Sequence, residues 1–143
     1  GVLCTNPGYN LFCREKKLKE ILTSGNIPFA DDEVKLTDAT VGISFCEFLV
    51  ARTGSILVTS AQESGRKLFV HPLTHIVVAF ADQIVMNIKD AMAGTRKKYS
   101  GHFPSLVTVV TGPSRSADIE KTLILGAHGP KEIYVFLIDK KSE

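Results

Sequence analysis

The sequence predicts an α/β domain built on a largely parallel sheet flanked by helices, and three observations lead there. Residues 76–80, 106–111 and 133–138 are nearly unbroken runs of β-branched, aliphatic and aromatic residues, the pattern of strands buried on both faces. Between them lie stretches with apolar residues at helical spacing, around 84–92 and 119–125. Strand, helix, strand, helix, strand is the alternation of a βαβ fold with right-handed crossovers. The three strands are therefore expected to be neighbours in one sheet.

The elements follow in order. Residues 2–5 read as a buried strand. Leu11, Leu18, Ile21 and Leu22 share a helical face, and Ser24, Gly25 and Asn26 end that helix. Residues 26–29 are a short extended piece, and Asp31, Asp32 and Glu33 form a solvated acidic loop with too few ligands around it for a cation. Residues 41–43 read as a short strand, 45–50 as a helical turn and 54–58 as a strand. A polar connector over 60–67 contains Gly65 and reads as a surface loop. Asp82 is expected to cap a helix with the apolar face Ile84, Val85, Ile88 and Met92. The basic run Arg96, Lys97 and Lys98 complements that helix's dipole without needing a partner. A second helix begins near Ala117, continues over 119–125 and stops at Gly126. No internal repeat or low-complexity segment is present.

Composition bounds the function. A chain of 143 residues, 44% hydrophobic and 22% charged, is one ordinary globular domain. A net charge of +2 argues against nucleic acid, and Arg14, Lys16, Lys17 and Lys19 interleave with Glu15 and Glu20 as a solvated helix face. Cys4, Cys13 and Cys46 are odd in number and widely spaced, which disfavours disulfides and any metal or iron–sulfur site built by this chain alone. No apolar run approaches the roughly 18 residues of a membrane span, and no secretory signal is visible. A reducing, cytoplasmic setting is the expectation. The chain starts at Gly1 and runs straight into strand-like residues, so the single domain, 1–143, is expected to lack part of its N-terminus.

Three polar clusters fall near predicted strand ends, where ligands bind in open α/β sheets. The first follows the run 107–111: Gly112 and Pro113, then Ser114, Arg115 and Ser116 ahead of the expected helix, with Asp118 and Glu120 in its first turn. Free backbone N–H groups at a helix start, the dipole, hydroxyls and one guanidinium make an anion pocket for a carboxylate or phosphate. A Ser N-cap with a solvated Arg115 is the plainer account. The second cluster runs from Glu47 to Ser55 and contains Arg52, Thr53 and Gly54. Glu47 sits among Phe45, Cys46, Phe48, Leu49 and Val50. A carboxylate in apolar company has a raised pKa or a partner, so it is either an ion pair, with Arg52 a candidate, or a general acid or base facing a cleft shared with residues 53–55. The third cluster, Gly126 to Pro130, carries His128, which reads either as a turn histidine or as an acid–base group with no identified partner. His71 and His75 flank Pro72, which argues against a shared metal on one helix.

Together these clusters resemble a known family. Residues 41–56, VGISFCEFLVARTGSI, are similar to a segment of the lactate-utilisation protein C family, also called the LUD domain. HIVV from His75 and DQIV from Asp82 match its next segment, and TGPSRSADIE from Thr111 and LGAHGP from Leu125 match its two C-terminal motifs. Four segments in order, across residues 35 to 139, make the resemblance specific. Arg52 stands where the family often has an acidic residue, and the family domain usually has more chain at its N-terminus. The resemblance implies a fold similar to the sugar-phosphate isomerase and CoA-transferase group. It implies a role as one subunit of a three-part system oxidising L-lactate to pyruvate, with iron–sulfur clusters on the partner subunits and no cofactor held by this chain. The alternative is a free-standing enzyme acting on a phosphorylated or CoA-linked small molecule. By the resemblance, Glu47, Thr53, Gly54, Ser55, Gly112, Ser114, Arg115, Asp118, Glu120, Gly126 and His128 are matching motif positions. With the reading of the residues themselves, Glu47 and His128 are the catalytic candidates, and the others together with Ser116 are candidates for binding substrate or an anion.

Overall fold

Two four-stranded sheets lie face to face with a helix on each outer side, in a computed structural model that describes residues 9–113, 115–119, 122–125 and 129–139, with backbone alone for 115–119 and 122–125. The expected strand at 2–5, and Ser114, Glu120, Gly126 and His128, lie outside the described residues. Strands β1 (Leu11–Cys13), β2 (Val41–Phe45), β5 (Thr74–Phe80) and β10 (Glu132–Ile138) form a parallel sheet in that order. Strands β3 (Phe48–Val50), β4 (Ser55–Thr59), β6 (Ile84–Val85) and β7 (Val107–Val110) form a mixed sheet in the order β6, β3, β4, β7. Only the β3–β6 pairing in it is parallel.

Helix α1 (Lys16–Ser24) covers the parallel sheet with Leu18 and Leu22, one turn apart, against Ile43, Phe45 and Val78. The opposite face, Phe12, Val77 and Ala79, meets Ile56, Val58 and Val110 of the mixed sheet. Leu57, on the far face of the mixed sheet, packs with Val50 against Ala91 of helix α2 (Ile88–Lys98). The 3₁₀ turn Glu33–Asp38 replaces the expected acidic loop, with the Asp32 carboxylate accepting from the Val34 N–H at 3.1 Å.

Five expectations are corrected. Leu11 belongs to a strand, because β1 pairs with β2 from Leu11↔Val41 and the helix begins only at Lys16. Residues 45–50 are not a helical turn: β3 and β4 make a hairpin, and Gly54, at φ +62°, supplies the left-handed residue of its turn. Asp82 caps no long helix. Ile84 and Val85 pair with Leu49 and Val50, and α2 starts after Asn87, whose backbone N–H and side-chain amide both donate to Asp90. The strand at 106–111 is β7 in the mixed sheet, antiparallel to β4, whereas 76–80 and 133–138 are parallel neighbours as expected. An apolar run reports cover on both faces, and a sandwich between a second sheet and a helix supplies that cover as well as a doubly wound sheet does. Lastly, the helix expected at 119–125 is a hairpin of β8 (Arg115–Ile119) and β9 (Thr122–Leu125), paired from Arg115↔Leu125. Short apolar segments fit both the helical and the strand period, and pairing decided the outcome.

Candidate functional site

The carboxyl ends of β1, β2 and β5 open into one cleft of about 270 Å³. Its walls are the residues that follow those strands: Glu15 after β1, Cys46 and Glu47 after β2, Gln83 after β5. Gln62 joins from the loop after β4, and Lys98 and Tyr99 from the end of α2. This is where parallel sheets place ligands, because the strands end there and the connecting loops diverge.

Glu47 is the centre of the cleft. Its side chain is 1% exposed, yet its carboxylate is fully engaged. Oε2 takes the Lys98 Nζ at 2.6 Å. Oε1 accepts from the Tyr99 hydroxyl at 2.6 Å and the Thr59 hydroxyl at 2.9 Å. Three donors and one cationic partner offset the cost of burying a carboxylate. The backbone is held as firmly. The Glu47 N–H donates to the Leu57 carbonyl at 2.8 Å. Gln83 Nε2 donates to the carbonyls of Cys46 (2.6 Å) and Glu47 (3.3 Å), while its Oε1 accepts the Phe80 N–H. Gln62 does the same one residue earlier, donating to the Phe45 carbonyl and accepting the Thr59 N–H. Two glutamines thus fasten the end of β2 to the ends of β5 and β4.

A second buried carboxyl, Glu15, lines the same cleft and accepts from the Ser64 hydroxyl. Burial holds its pKa above the ordinary carboxylate range, against the lowering effect of the Ser64 bond. Burial and then the Glu47 carboxylate raise the Tyr99 phenol, so it stays a donor. At Lys98 burial works downward, but the hydrogen bond and charge of Glu47 outweigh it and the ammonium is held above its usual value. The cleft therefore holds the Glu47–Lys98 ion pair, the Tyr99 phenol bonded to it and the buried carboxyl of Glu15, with Lys17 and Glu63 also in its lining.

Sequence reasoning found Glu47 and missed its neighbours. The bland partner Arg52 is exposed and not bonded to it; Lys98, read as a free helix-end charge, is the partner. Glu15 was hidden in the charge pattern once Leu11 was assigned to the helix. Thr53, Gly54 and Ser55 do not share the cleft: they sit at the opposite end of β4 from Thr59, roughly 13 Å away at strand rise. There Thr53, Ser55 and Thr111 form a chain of hydroxyls, with Oγ–Oγ distances of 2.7 and 3.0 Å. The structure thus joins the Thr53–Ser55 segment to Thr111, the residue before Gly112. The helix-start argument falls for Arg115, Ser116 and Asp118, which have strand backbone and not the first turn of a helix; Ser114 lies outside the described residues.

His75 is buried within β5, its Nε2 2.9 Å from the Ser44 hydroxyl, while His71 is exposed. The Ser44 hydroxyl also lies 2.9 Å from the Phe45 carbonyl, its acceptor. Among the described residues no three His, Cys, Asp or Glu side chains gather to hold a metal. Cys13 and Cys46 lie in different apolar clusters, and burial pushes their thiols up to about 11 and about 12. They do not make an iron–sulfur ligand set. No helix among the described residues is long and apolar enough to cross a membrane.

Comparison with known proteins adds the following. The LUD domain model matches residues 18–138. "Lactate utilization protein C" of Bacillus licheniformis is 35% identical over 105 residues, which are 71% of this chain and 44% of that protein. The protein of the same name from Bacillus subtilis is 35% identical over 109 residues, 74% of this chain and 45% of that protein. That from a Geobacillus species is 35% identical over 118 residues, 80% and 46%. The chain spans just under half the length of these relatives. The crystal structure of a DUF162 family protein from Deinococcus radiodurans superposes with a TM-score of 0.57 at 16% identity, covering 91% of this chain and 87% of that one. At that identity the likeness concerns the fold alone.

Proposed function

The chain belongs to the LUD domain family, and on that premise we propose that it serves lactate utilisation by binding a small hydroxy or oxo carboxylate in the Glu47 cleft. One observation carries the reading: a buried carboxylate held by Lys98, Tyr99 and Thr59 at the carboxyl ends of the parallel strands. The Lys98 ammonium has three donors and places one on Glu47. Its side chain is 56% exposed, which leaves the ammonium within reach of an incoming carboxylate. The substrate's hydroxyl or carbonyl oxygen then lies on the Lys98 side of Glu47, and it reaches the Glu47 carboxylate or the Tyr99 proton by displacing one of the bonds that hold them together. Glu15, whose pKa burial raises, is a second carboxyl in the same cleft.

In this reading the chain binds, orients and handles protons, and the electrons of lactate oxidation pass to iron–sulfur partner subunits. A phosphorylated or CoA-linked substrate suits the cleft less well. Its cations are Lys17 and Lys98, set against Glu15, Glu47 and Glu63, and a phosphate dianion meets that acidic lining unfavourably.

Calorimetric titration of L-lactate, pyruvate and inorganic phosphate into the protein tests the proposal. Lactate or pyruvate is expected to bind in preference to phosphate. Lys98→Met is expected to weaken that binding about tenfold or more, the worth of a charge-assisted hydrogen bond of about 1.5–3 kcal/mol. Undiminished affinity in the variant, or preference for phosphate, removes the cleft from consideration.

A further inference from the structure

The far edge of the parallel sheet is exposed in a way the Glu47 cleft does not explain. Strand β10 is the terminal strand, and among the described residues only β5 pairs with it. Its residues Tyr134 to Ile138 are all apolar or aromatic, and each is between 38 and 59% exposed. Alternation places Val135 and Leu137 on one face and Tyr134, Phe136 and Ile138 on the other, so both faces are about half exposed. Ile133 alone packs into the core between the sheets. A strand with six consecutive apolar or aromatic residues, Ile133 to Ile138, and an edge that no described strand pairs with is a template for a further strand.

The charges at its ends say which strand fits. Lys131 stands just before β10 and Asp139 just after it, both exposed. We infer that a second copy of this chain occupies the edge, β10 pairing antiparallel with its own counterpart about a two-fold axis at Val135. Counting outward from Val135, Tyr134 then faces Phe136 of the other copy, Ile133 faces Leu137, and Lys131 faces Asp139, each pair occurring twice. A shift of two residues sets Lys131 against Leu137 in one direction and Asp139 against Ile133 in the other. The register at Val135 pairs Lys131 with Asp139 and keeps aromatic against aromatic, the favourable cross-strand pattern, and leaves Glu132 opposite Ile138 near each end. The result is one continuous eight-stranded sheet across a closed, isologous interface, leaving no free β10 edge.

Sedimentation equilibrium over a protein concentration series tests this. The wild-type chain is expected to dimerise. Val135→Lys sets two ammonium groups face to face on the axis and should weaken the dimer roughly tenfold or more. Lys131→Asp sets like charges together and should weaken it by about fivefold, and adding Asp139→Lys should restore it to within about twofold. These positions are exposed, so far-UV circular dichroism and thermal melting should show each variant folded. A wild-type chain that stays monomeric throughout overturns the inference. So does a dimer indifferent to Val135→Lys or to the charge exchange.

Discussion

Glu47 is where sequence and structure agree most usefully, since an acidic residue inside FCEFLV cannot be both buried and unpartnered. That much was legible from neighbours in the chain. Its partners were not, because Lys98 and Tyr99 lie some fifty positions away and no local pattern pairs them with it. His75 shows the same division: nothing in HIVV distinguishes a buried histidine from a surface one, and only the packing of β5 settles it. Its consequence is a pH dependence. Burial lowers the His75 pKa from 6.5 to about 4, so below 6.5 the unfolded chain takes up a proton that the folded chain refuses. Stability is therefore lost as pH falls from 6.5 through about 4, by about 3 kcal/mol at roughly 1.4 kcal/mol per unit. Glu15 acts in the opposite sense. Its raised pKa favours the fold at low pH, and that contribution fades as pH climbs through the folded-state value. The difference between wild type and His75→Gln isolates the histidine. Urea unfolding at neutral and acid pH should show the acid loss in wild type and a flatter profile in the variant. Parallel profiles would mean that His75 titrates normally.

Among the elements, α2 illustrates why propensity alone misleads. Gly94 lies inside this helix, where alanine is ordinarily better by about 1 kcal/mol. A Cβ at Gly94 would come within 2.4 Å of Phe48 Cζ and 3.0 Å of its Cε2. The glycine therefore lets α2 rest on β3, which in turn brings Lys98 and Tyr99 over Glu47. Gly94→Ala is expected to destabilise the protein by about 1–3 kcal/mol, the range for overpacking a filled site. Adding Phe48→Leu should recover part of that loss in denaturant titrations. A stabilised Gly94→Ala protein would show that the ring moves aside freely. The hairpin β8–β9 teaches the converse lesson, because residues 119–125 satisfied a helical stripe and yet pair as strands. So does β6, where Ile84 and Val85 fitted a helix face but found Leu49 and Val50 first.

Over the whole molecule, the alternation of apolar runs and helical stretches was enough to announce an α/β fold, and the pairing of β5 with β10 followed from it. The second sheet was not legible. Hydropathy reports that a strand is covered on both faces, not whether helices or another sheet cover it, so β4 and β7 read like members of the same sheet as β5. The stacking has a functional consequence. Because β4 is an extended strand in the hairpin that follows β2, its Thr59 end meets Glu47 and its Ser55 end meets Thr111, and residues that sequence grouped as one site are drawn apart. The central claim, that a small carboxylate binds at the carboxyl ends of the parallel strands, is tested most directly by amide chemical shifts recorded while L-lactate is titrated into the labelled protein. The expected result is saturable shifts clustered at Cys46, Glu47, Gln62, Gln83, Lys98 and Tyr99. Shifts clustered instead at Thr53, Ser55, Thr111 and Gly112, or none that saturate, would contradict it.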